Sequence, residues 1–143
     1  MNYREMTIED YPHLIDLWSQ VEGVRLRDAD SKEGITKYLC RNPGLSFVAE
    51  HDGKIIGTIM GGHDGKRGYV QHLAVAEVHR LSGIGSKLAT MCLEALKREG
   101  ILKTHLMVLE NNSAAKQFWL KLGWKPRGDI ELYSFINSSS QNV

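Results

Sequence analysis

Apolar residues between positions 69 and 99 change their spacing part-way, from the pattern of a strand to that of a helix. Residues 69–75 form a short, mostly apolar stretch, and a polar turn follows. Beyond the turn, apolar residues recur at steps of three and four, which places them on one helical face that can lie against a sheet. They are Ile84, Leu88, Met91, Cys92, Ala95 and Leu96. The pattern predicts a strand, a turn and a long helix, around which the chain is organised.

The turn itself has the features of an anion site. The first N–H groups of a helix have no intrahelical acceptor, and a residue without a Cβ lets a bulky anion approach them. Gly83 and Gly85 stand at this point, with Arg80 beside them and Lys87 on the first helical turn. The helix dipole also favours an anion there. The spacing alone leaves a tight connection equally open, and it is neither a Walker loop nor the dinucleotide fingerprint.

The residues before this unit alternate between predicted helices and strands. Residues 2–6 form a predicted edge strand, and a capping box starting at Thr7 precedes a helix that runs to about Gln20. Residues 24–30 form a polar connector, and a second short helix begins at a cap provided by Asp30 or Ser31. Two strands follow, residues 45–50 and 54–60, joined by the Asp-Gly turn at 52–53. The glycine-rich residues 61–68 lead into the central strand.

After the long helix, the pattern predicts a strand, a helix and a last hairpin. Residues 104–109 form the strand, which should run parallel to the central one. Ser113 is the predicted helix cap, and Gly123 follows the helix in the position of an αL residue. Residues 124–127 and 131–136 form the predicted hairpin. The organisation expected is one domain over residues 1–137, with a polar, disordered tail at 138–143.

Two segments together resemble a known family. Arg80-x-x-Gly83-x-Gly85, after a strand ending at residues 73–75, is similar to the acetyl-CoA signature of the GCN5-related N-acetyltransferases, the GNAT superfamily. Residues 108–124 resemble the later motif of the same family, which has an Asn, an Ala, an aromatic pair and a Gly-aromatic. These motif residues are Asn112, Ala115, Phe118, Trp119, Gly123 and Trp124. The order of elements extends the resemblance over most of the chain, and the resemblance is weakest before Ser46 and after Gly128. The chain is similar to the small, single-domain, bacterial-type members of the family.

The resemblance implies an α/β (α+β) fold of the GNAT type. The expected sheet is mixed and mostly antiparallel, with about six or seven strands flanked by about four helices. Strands four and five should splay apart, so that the pantetheine arm of acetyl-CoA lies between them. The residues implied to bind acetyl-CoA are Leu73, Ala74, Val75, Arg80, Leu81, Ser82, Gly83, Ile84, Gly85, Ser86, Asn112, Ala115 and Phe118. The backbone N–H of Leu73 is implied as the donor to the acetyl oxygen.

Trp119 departs from the family pattern. Many relatives have a Tyr there, whose hydroxyl protonates the departing thiolate, and an indole N–H has no comparable acidity. Three alternatives follow: solvent protonates the thiolate, another hydroxyl such as Tyr133 does so, or activity is weak. Trp119 as a packing residue is a further alternative.

No general base can be assigned from the sequence. Tyr69 and Gln71 lie on the side of the central strand where a base is expected, and neither is an evident base. His72 would point to the opposite face if the strand were regular, which favours a structural role. Glu110, at the end of the next strand, is a weak candidate. The catalytic residues therefore stay unknown.

Composition excludes several other classes. A net charge of +1 gives no reason to expect a nucleic-acid partner, and no apolar run is long enough to span a membrane. Cys40 and Cys92 stand alone, and Cys92 lies on the apolar helix face as a buried thiol. His63 and Asp64 lack a third ligand at a fitting spacing, so no metal is expected. The expected location is cytoplasmic.

The favoured function is transfer of an acetyl group from acetyl-CoA to a primary amine, of a small molecule or a protein, by direct attack in a ternary complex. A catalytically weak or inactive acyl-CoA-binding module is the alternative, and a nucleotide-binding α/β domain is disfavoured because three antiparallel strands precede the glycine turn.

Arg25, Arg27 and Asp28 on the connector are either substrate contacts or a solvated loop. A homodimer is left open.

Overall fold

The computed structural model describes residues 1–143. It contains one sheet with helices on both of its faces. In chain order the elements are β1 (Asn2–Glu5), α1 (Tyr11–Gln20), α2 (Lys32–Arg41), β2 (Phe47–His51), β3 (Lys54–His63), β4 (Gly68–Val75), α3 (Ile84–Arg98), β5 (Thr104–His105) and α4 (Ser113–Lys121). Short 3₁₀ turns occur at Ile8–Asp10, Asp28–Asp30 and Glu77–His79. None of the helices combines the length and apolar character of a membrane-spanning helix.

The sheet has five strands in the order β1-β2-β3-β4-β5. The first four are antiparallel neighbours, and β5 pairs in parallel with β4. The mixed, mostly antiparallel sheet and the four α-helices agree with the expected GNAT-type fold, whereas the expectation of six or seven strands is wrong.

The missing strands belong to the predicted last hairpin. Residues 124–127 and 131–136 form no strand, and β5 itself contains two residues instead of the six predicted. A hairpin in water needs a sheet or a core to pair with. Because β5 ends at His105, it offers no edge along which a sixth strand could pair.

Local signals account well for the start and end of several elements. The Thr7 N–H donates to the Asp10 carboxylate at 2.9 Å in the predicted capping box before α1. Ser31 caps α2, since its hydroxyl accepts from the Gly34 N–H at 3.0 Å. One cap differs from the expectation: Asn112, and not Ser113, caps α4, because its side-chain oxygen accepts from the Ala115 N–H at 3.1 Å.

Two apolar clusters lie on opposite faces of the sheet. The α3 cluster is centred on the buried face of α3 and contains Leu45, Ala49, Ile56, Ile59, Val70, Ile84, Leu88, Ala89, Cys92, Ala95, Leu96, Ile101 and Trp119. The α1 cluster contains Met6, Leu14, Leu17, Trp18, Ile35, Val48, Met60 and Ala74. Successive strand residues such as Ile59 and Met60 face opposite clusters, as the alternation of a strand requires.

Candidate active site

The turn before α3 presents a row of backbone donors with no acceptor in the protein. Gly83 has φ +85° as the N-cap of α3, and Leu81 has φ +63°. The N–H groups of residues 81–86 donate to no protein acceptor, whereas the next one, that of Lys87, bonds to the Gly83 carbonyl at 3.0 Å. Because Gly83 has nothing within 4 Å of its Cβ position, the row is open to an anion.

The side chains of this turn differ in their exposure and in their hydrogen bonds within the protein. Arg80 donates from Nε to the Val75 carbonyl at 3.1 Å, which holds its guanidinium at the end of β4. Leu81 is fully exposed, while Ile84 is buried in the α3 cluster and contributes to the row only through its backbone. The Ser82 hydroxyl donates to the His79 carbonyl. The predicted binding residues from Arg80 to Ser86 are therefore brought together, mainly as a backbone surface.

Beside the turn, β4 and β5 separate. Their pairing is confined to Gly68 with Thr104 and Tyr69 with His105, so the edge of β4 from Val70 onwards has no strand partner on that side. This unpaired edge lies where the resemblance implied that strands four and five splay apart. Leu73, Ala74 and Val75 follow along the unpaired stretch, Ala74 facing the α1 cluster and the other two the α3 cluster.

Helix α4 forms the other wall of the opening. The Phe118 ring lies 3.1 Å from the position that a Cβ on Gly85 would occupy, so α4 reaches the first turn of α3. Ala115 packs against the α3 cluster on the same helix. The Asn112 side chain is engaged in capping, and its Nδ2 lies 3.0 Å from the Cβ position of Gly23.

Trp119 occupies a packed position. It is 8% exposed, and its ring meets those of Phe118 and Trp124 edge-on at centroid distances of 4.9 and 5.0 Å. Tyr133, the hydroxyl considered as a substitute acid, is 84% exposed and donates to Glu131 at 3.1 Å.

A bulge in β4 changes the direction of His72. The register between β3 and β4 shifts, from Thr58 opposite Ala74 to Met60 opposite Gln71, so that Ile59 faces two residues of β4. His72 takes φ +52° there. The expectation for a regular strand is therefore not met, since His72 lies against Trp18 on the face of α1 and α2, at a centroid distance of 4.7 Å.

His72 has a carboxylate partner that the sequence did not indicate. Its Nε2 lies 2.7 Å from Oδ1 of Asp30, and each side chain is 12% exposed. Burial raises the pKa of the Asp30 carboxyl, but hydrogen bonds from His72 and the Arg27 N–H outweigh it and hold the pKa below its ordinary value. Asp30 was predicted only as a helix cap, and nothing in its spacing marks it as a partner of β4.

A cleft of about 420 Å³ opens on the same face of the sheet. Tyr69 and Gln71 of β4 line it, as does Tyr38 of α2; Asn42, Gly62, His63, Asp64, Arg67, Gly68 and His105 complete the lining. The Tyr38 hydroxyl is buried without a hydrogen-bond partner, and burial raises its pKa. Sequence reasoning missed Tyr38 as a site residue, because its helical spacing indicated only a core position.

The connector between α1 and α2 reaches two other parts of the chain. Arg25 lines a second cleft together with Leu109, Glu110 and Asn111, which brings two of the sequence candidates together. Arg27 and Asp28 instead hydrogen-bond to Asn142, at 3.2 Å from the Arg27 guanidinium and 2.9 Å to the Asp28 carboxylate.

His63 and Asp64 serve the loop that follows β3. Nε2 of His63 lies 2.9 Å from Glu99, and its Nδ1 accepts from the Gly65 N–H. The Asp64 carboxylate accepts from the N–H groups of Lys66 and Arg67, both at 2.8 Å. No group of three or more potential His, Cys, Asp or Glu ligands occurs in the structure.

The fold agrees with that of a known protein family. Residues 7–124 match the model of the acetyltransferase (GNAT) family. The chain belongs to this family. An acetyltransferase of Pectobacterium atrosepticum is 34% identical over 125 residues, which cover 87% of this chain and 88% of that protein. An acetyltransferase of Sodalis glossinidius is 32% identical and covers 92% of each chain.

A solved structure supports the same fold. The PaiA N-acetyltransferase of Thermoplasma acidophilum, crystallised in complex with coenzyme A, superposes with a TM-score of 0.73 at 24% identity, over 87% of this GNAT chain and 89% of that one. The sequence-based assignment to the GNAT acetyltransferases is thus confirmed.

Proposed function

We propose that this GNAT protein transfers an acetyl group from acetyl-CoA to a primary amine, by direct attack within a ternary complex. The observation that carries the proposal is the row of unbonded N–H groups at residues 81–86, directly beside the unpaired edge of β4. The row suits the pyrophosphate, and the open edge suits an extended amide-containing arm that pairs with the backbone like a strand.

In this proposal the residues of the opening have distinct roles. The pantetheine arm lies along Leu73 to Val75, with Ala115 and Phe118 on its other side. The Leu73 N–H donates to the acetyl oxygen as charge develops on it. Asn112 orients α4 through its cap and offers its Nδ2 to the arm.

The acceptor amine enters, in the same proposal, through the cleft lined by Tyr38, Tyr69 and Gln71. The Tyr69 hydroxyl and the Gln71 amide suit a small polar amine, because each can hydrogen-bond to a substrate without carrying a charge. Arg67 and His105 at the cleft would also accommodate an anionic group on that amine.

The departing thiolate is protonated by solvent in this scheme. Trp119 has no hydroxyl and is packed between two aromatic rings, and the exposed Tyr133 hydroxyl is engaged with Glu131, so we assign neither as the acid at the sulfur. The thiolate of coenzyme A is a stable leaving group, and turnover does not require a dedicated acid.

Isothermal titration with acetyl-CoA tests the binding half of the proposal. Gly83→Glu places a carboxylate in the anion row and should abolish binding by charge repulsion. Gly100→Glu is the matched control at the other end of α3: Gly100 has φ +84° and, like Gly83, nothing within 4 Å of its Cβ position. Both variants bear similar backbone strain, so only the first should lose acetyl-CoA. Equal binding of acetyl-CoA by both folded variants would refute the assignment of the N–H groups of residues 81–86 as the pyrophosphate site.

Thiol release tests the catalytic half and separates the enzyme from the alternative binding module. The wild type is mixed with acetyl-CoA and each of glucosamine, ethanolamine and a short peptide with a free α-amine. Release above the rate without amine is expected for at least one of them. Tight binding of acetyl-CoA without release from any amine would favour a catalytically weak acyl-CoA-binding module.

A further inference from the structure

The proposed reaction needs a proton acceptor, because a primary amine is mostly protonated near neutral pH and cannot attack a thioester in that form. The acceptor must have a free basic atom, lie on the face from which the amine arrives, and sit near the acetyl group. Three properties of His72 meet these conditions. The inference therefore rests on the proposed function and adds a residue to it.

The first property is position. Because of the β4 bulge, Gln71 and His72 lie on the same face of the sheet. Gln71 lines the cleft proposed for the amine. The next residue, Leu73, is the proposed donor to the acetyl oxygen. In a regular strand His72 would face α3, away from the amine, and so the bulge is what brings the imidazole to the face of the sheet on which the cleft opens, one residue before Leu73.

The second property is a free ring nitrogen. Nε2 is engaged with Asp30 at 2.7 Å, whereas Nδ1 makes no hydrogen bond. The Tyr38 hydroxyl is the one buried side-chain nitrogen or oxygen without a hydrogen-bond partner. Because His72 Nδ1 also has no partner, it is not a buried atom and stays accessible to solvent. An ionised Asp30 selects the tautomer with the proton on Nε2, which leaves the lone pair on Nδ1.

The third property is a rigid setting. The His72 carbonyl accepts from the Thr58 hydroxyl at 2.9 Å, which in turn accepts from the Trp18 indole N–H at 2.9 Å. Asp30 is held by the Arg27 N–H at one oxygen, and its own carbonyl accepts from the Tyr11 hydroxyl at 2.7 Å. Asp30 and Tyr11 are the titratable groups that α1 and the connector bring to the imidazole.

We propose that His72 is the general base of the acetyl transfer, with Asp30 as its positioning residue. Nδ1 takes a proton from the substrate ammonium, and the neutral amine attacks the thioester carbonyl carbon. The C–N bond forms, the C–S bond breaks, and the second amine proton passes through solvent to the thiolate. The proton on His72 then leaves to solvent, so one acetyl-CoA and one ammonium give the amide, coenzyme A and one proton.

The test uses His72→Gln, which keeps an N–H donor for Asp30 but has no basic nitrogen. With the panel amine that releases most thiol, kcat/KM at pH 7 should fall about 100-fold. The deficit should narrow as the pH rises and the free amine becomes abundant, while acetyl-CoA binding by titration stays unchanged. A purely structural role for His72 would instead give a deficit that does not depend on pH.

Further variants keep the test decisive. His72→Asn suits the positive φ better, because Asn adopts this conformation more readily, and it should show the same pH-dependent loss. Asp30→Asn removes the charge that selects the tautomer and should lower kcat with little change in KM. His51→Gln is the control: this histidine also lies beside a carboxylate, that of Asp52 at 3.4 Å, but at the β2–β3 turn, and its rate should match the wild type.

The outcomes separate the two proposals. No thiol release by the wild type would overturn the proposed function itself. Wild-type turnover combined with full activity of His72→Gln or His72→Asn at pH 7 would overturn only the assignment of the base.

Discussion

Gly61 illustrates how a single side chain would disturb the centre of the molecule. It lies on β3, where the strand packs closely against α3 and the residues just before β2. A Cβ there would stand 2.4 Å from the Cys92 sulfur and 2.6 Å from the Leu45 carbonyl oxygen. Cys92 also makes its one polar contact, at 3.3 Å, to that same carbonyl. The close approach of β3 and α3 therefore requires glycine at this position.

We expect Gly61→Ala to destabilise the protein by about 2–3 kcal/mol, because neither the backbone oxygen nor the buried sulfur can move away without repacking. Urea unfolding measures the loss. Gly128→Ala is the control, since Gly128 has nothing within 4 Å of its Cβ position, and it should unfold like the wild type. Equal midpoints for the two variants would contradict the packing described for β3.

The two cysteines should differ in reactivity. Cys40 is exposed, whereas Cys92 is buried in the α3 cluster, where burial raises the pKa of its thiol to about 12. Because the thiolate is the reactive form, a disulfide reagent at pH 8 should titrate one thiol per native chain and two in denaturant. Native Cys40→Ala should show none. Rapid reaction of both thiols in the native wild type would refute this burial.

At the scale of an element, the start of α1 depends on one ion pair. The Arg4 guanidinium on β1 donates to both oxygens of the Asp10 carboxylate, at 2.9 and 2.8 Å, and Asp10 also accepts from the Thr7 N–H. Burial alone would raise the pKa of Asp10. The hydrogen bonds from Arg4 and Thr7 nevertheless hold it below its ordinary value of 3.8. The contact ties the first helix to the edge of the sheet.

Because the pKa of Asp10 is lower in the folded state than in the unfolded chain, its stabilisation is fully present above about pH 4 and is lost as the pH falls through the folded pKa. We expect Asp10→Asn to cost about 2 kcal/mol of unfolding free energy at pH 7, and clearly less at pH 2–3. Urea titrations at both pH values measure this. Asp16→Asn, on the same helix and exposed, should have no effect. A cost that does not change with pH would refute the ion-pair explanation.

At the scale of the whole molecule, the two faces of the sheet have separate tasks. The proposed anion row and the opening beside β4 involve α3 and α4, whereas the proposed amine cleft and the pair of His72 with Asp30 lie on the side of α1 and α2. The bulge in β4 is the one place where both sets of residues meet. A ternary complex on this chain would therefore bring its two substrates together from opposite faces of the sheet.

The C-terminal segment leaves large apolar side chains uncovered. Ile130, Leu132, Tyr133 and Phe135 are each at least 60% exposed. We expect this segment to associate with a second copy of the chain, since a run of exposed large apolar side chains favours burial between protomers.

Sedimentation equilibrium measures that association. The wild type should give the mass of a homodimer, and the double variant Leu132→Asp with Phe135→Asp should give that of a monomer. Ser134→Asp, between the two positions, adds the same kind of charge without removing apolar surface and should stay dimeric. A monomeric wild type at high protein concentration would rule out this association.

Sequence alone determined the features whose causes are local. The apolar spacing of α3 predicted five of its six buried residues, Ile84, Leu88, Cys92, Ala95 and Leu96; the sixth is Ala89, and the predicted Met91 is only half-buried. The Asp-Gly turn and the capping box at Thr7 formed where they were predicted. Each depends on a few neighbouring residues whose conformational preferences agree. The glycine turn belongs here too, because the free N–H groups of a helix start are a property of any helix.

Only the tertiary structure decided the features that depend on a partner strand. His72 changed face because β4 pairs with β3 through a register shift, and period-two reasoning assumes that no such shift occurs. Asp30 and Tyr38 joined the site from distant positions in the chain. The last hairpin did not form, because its neighbour β5 is too short to pair with it. Periodicity reports which face a residue would take in a regular element, whereas pairing between strands decides whether the element stays regular.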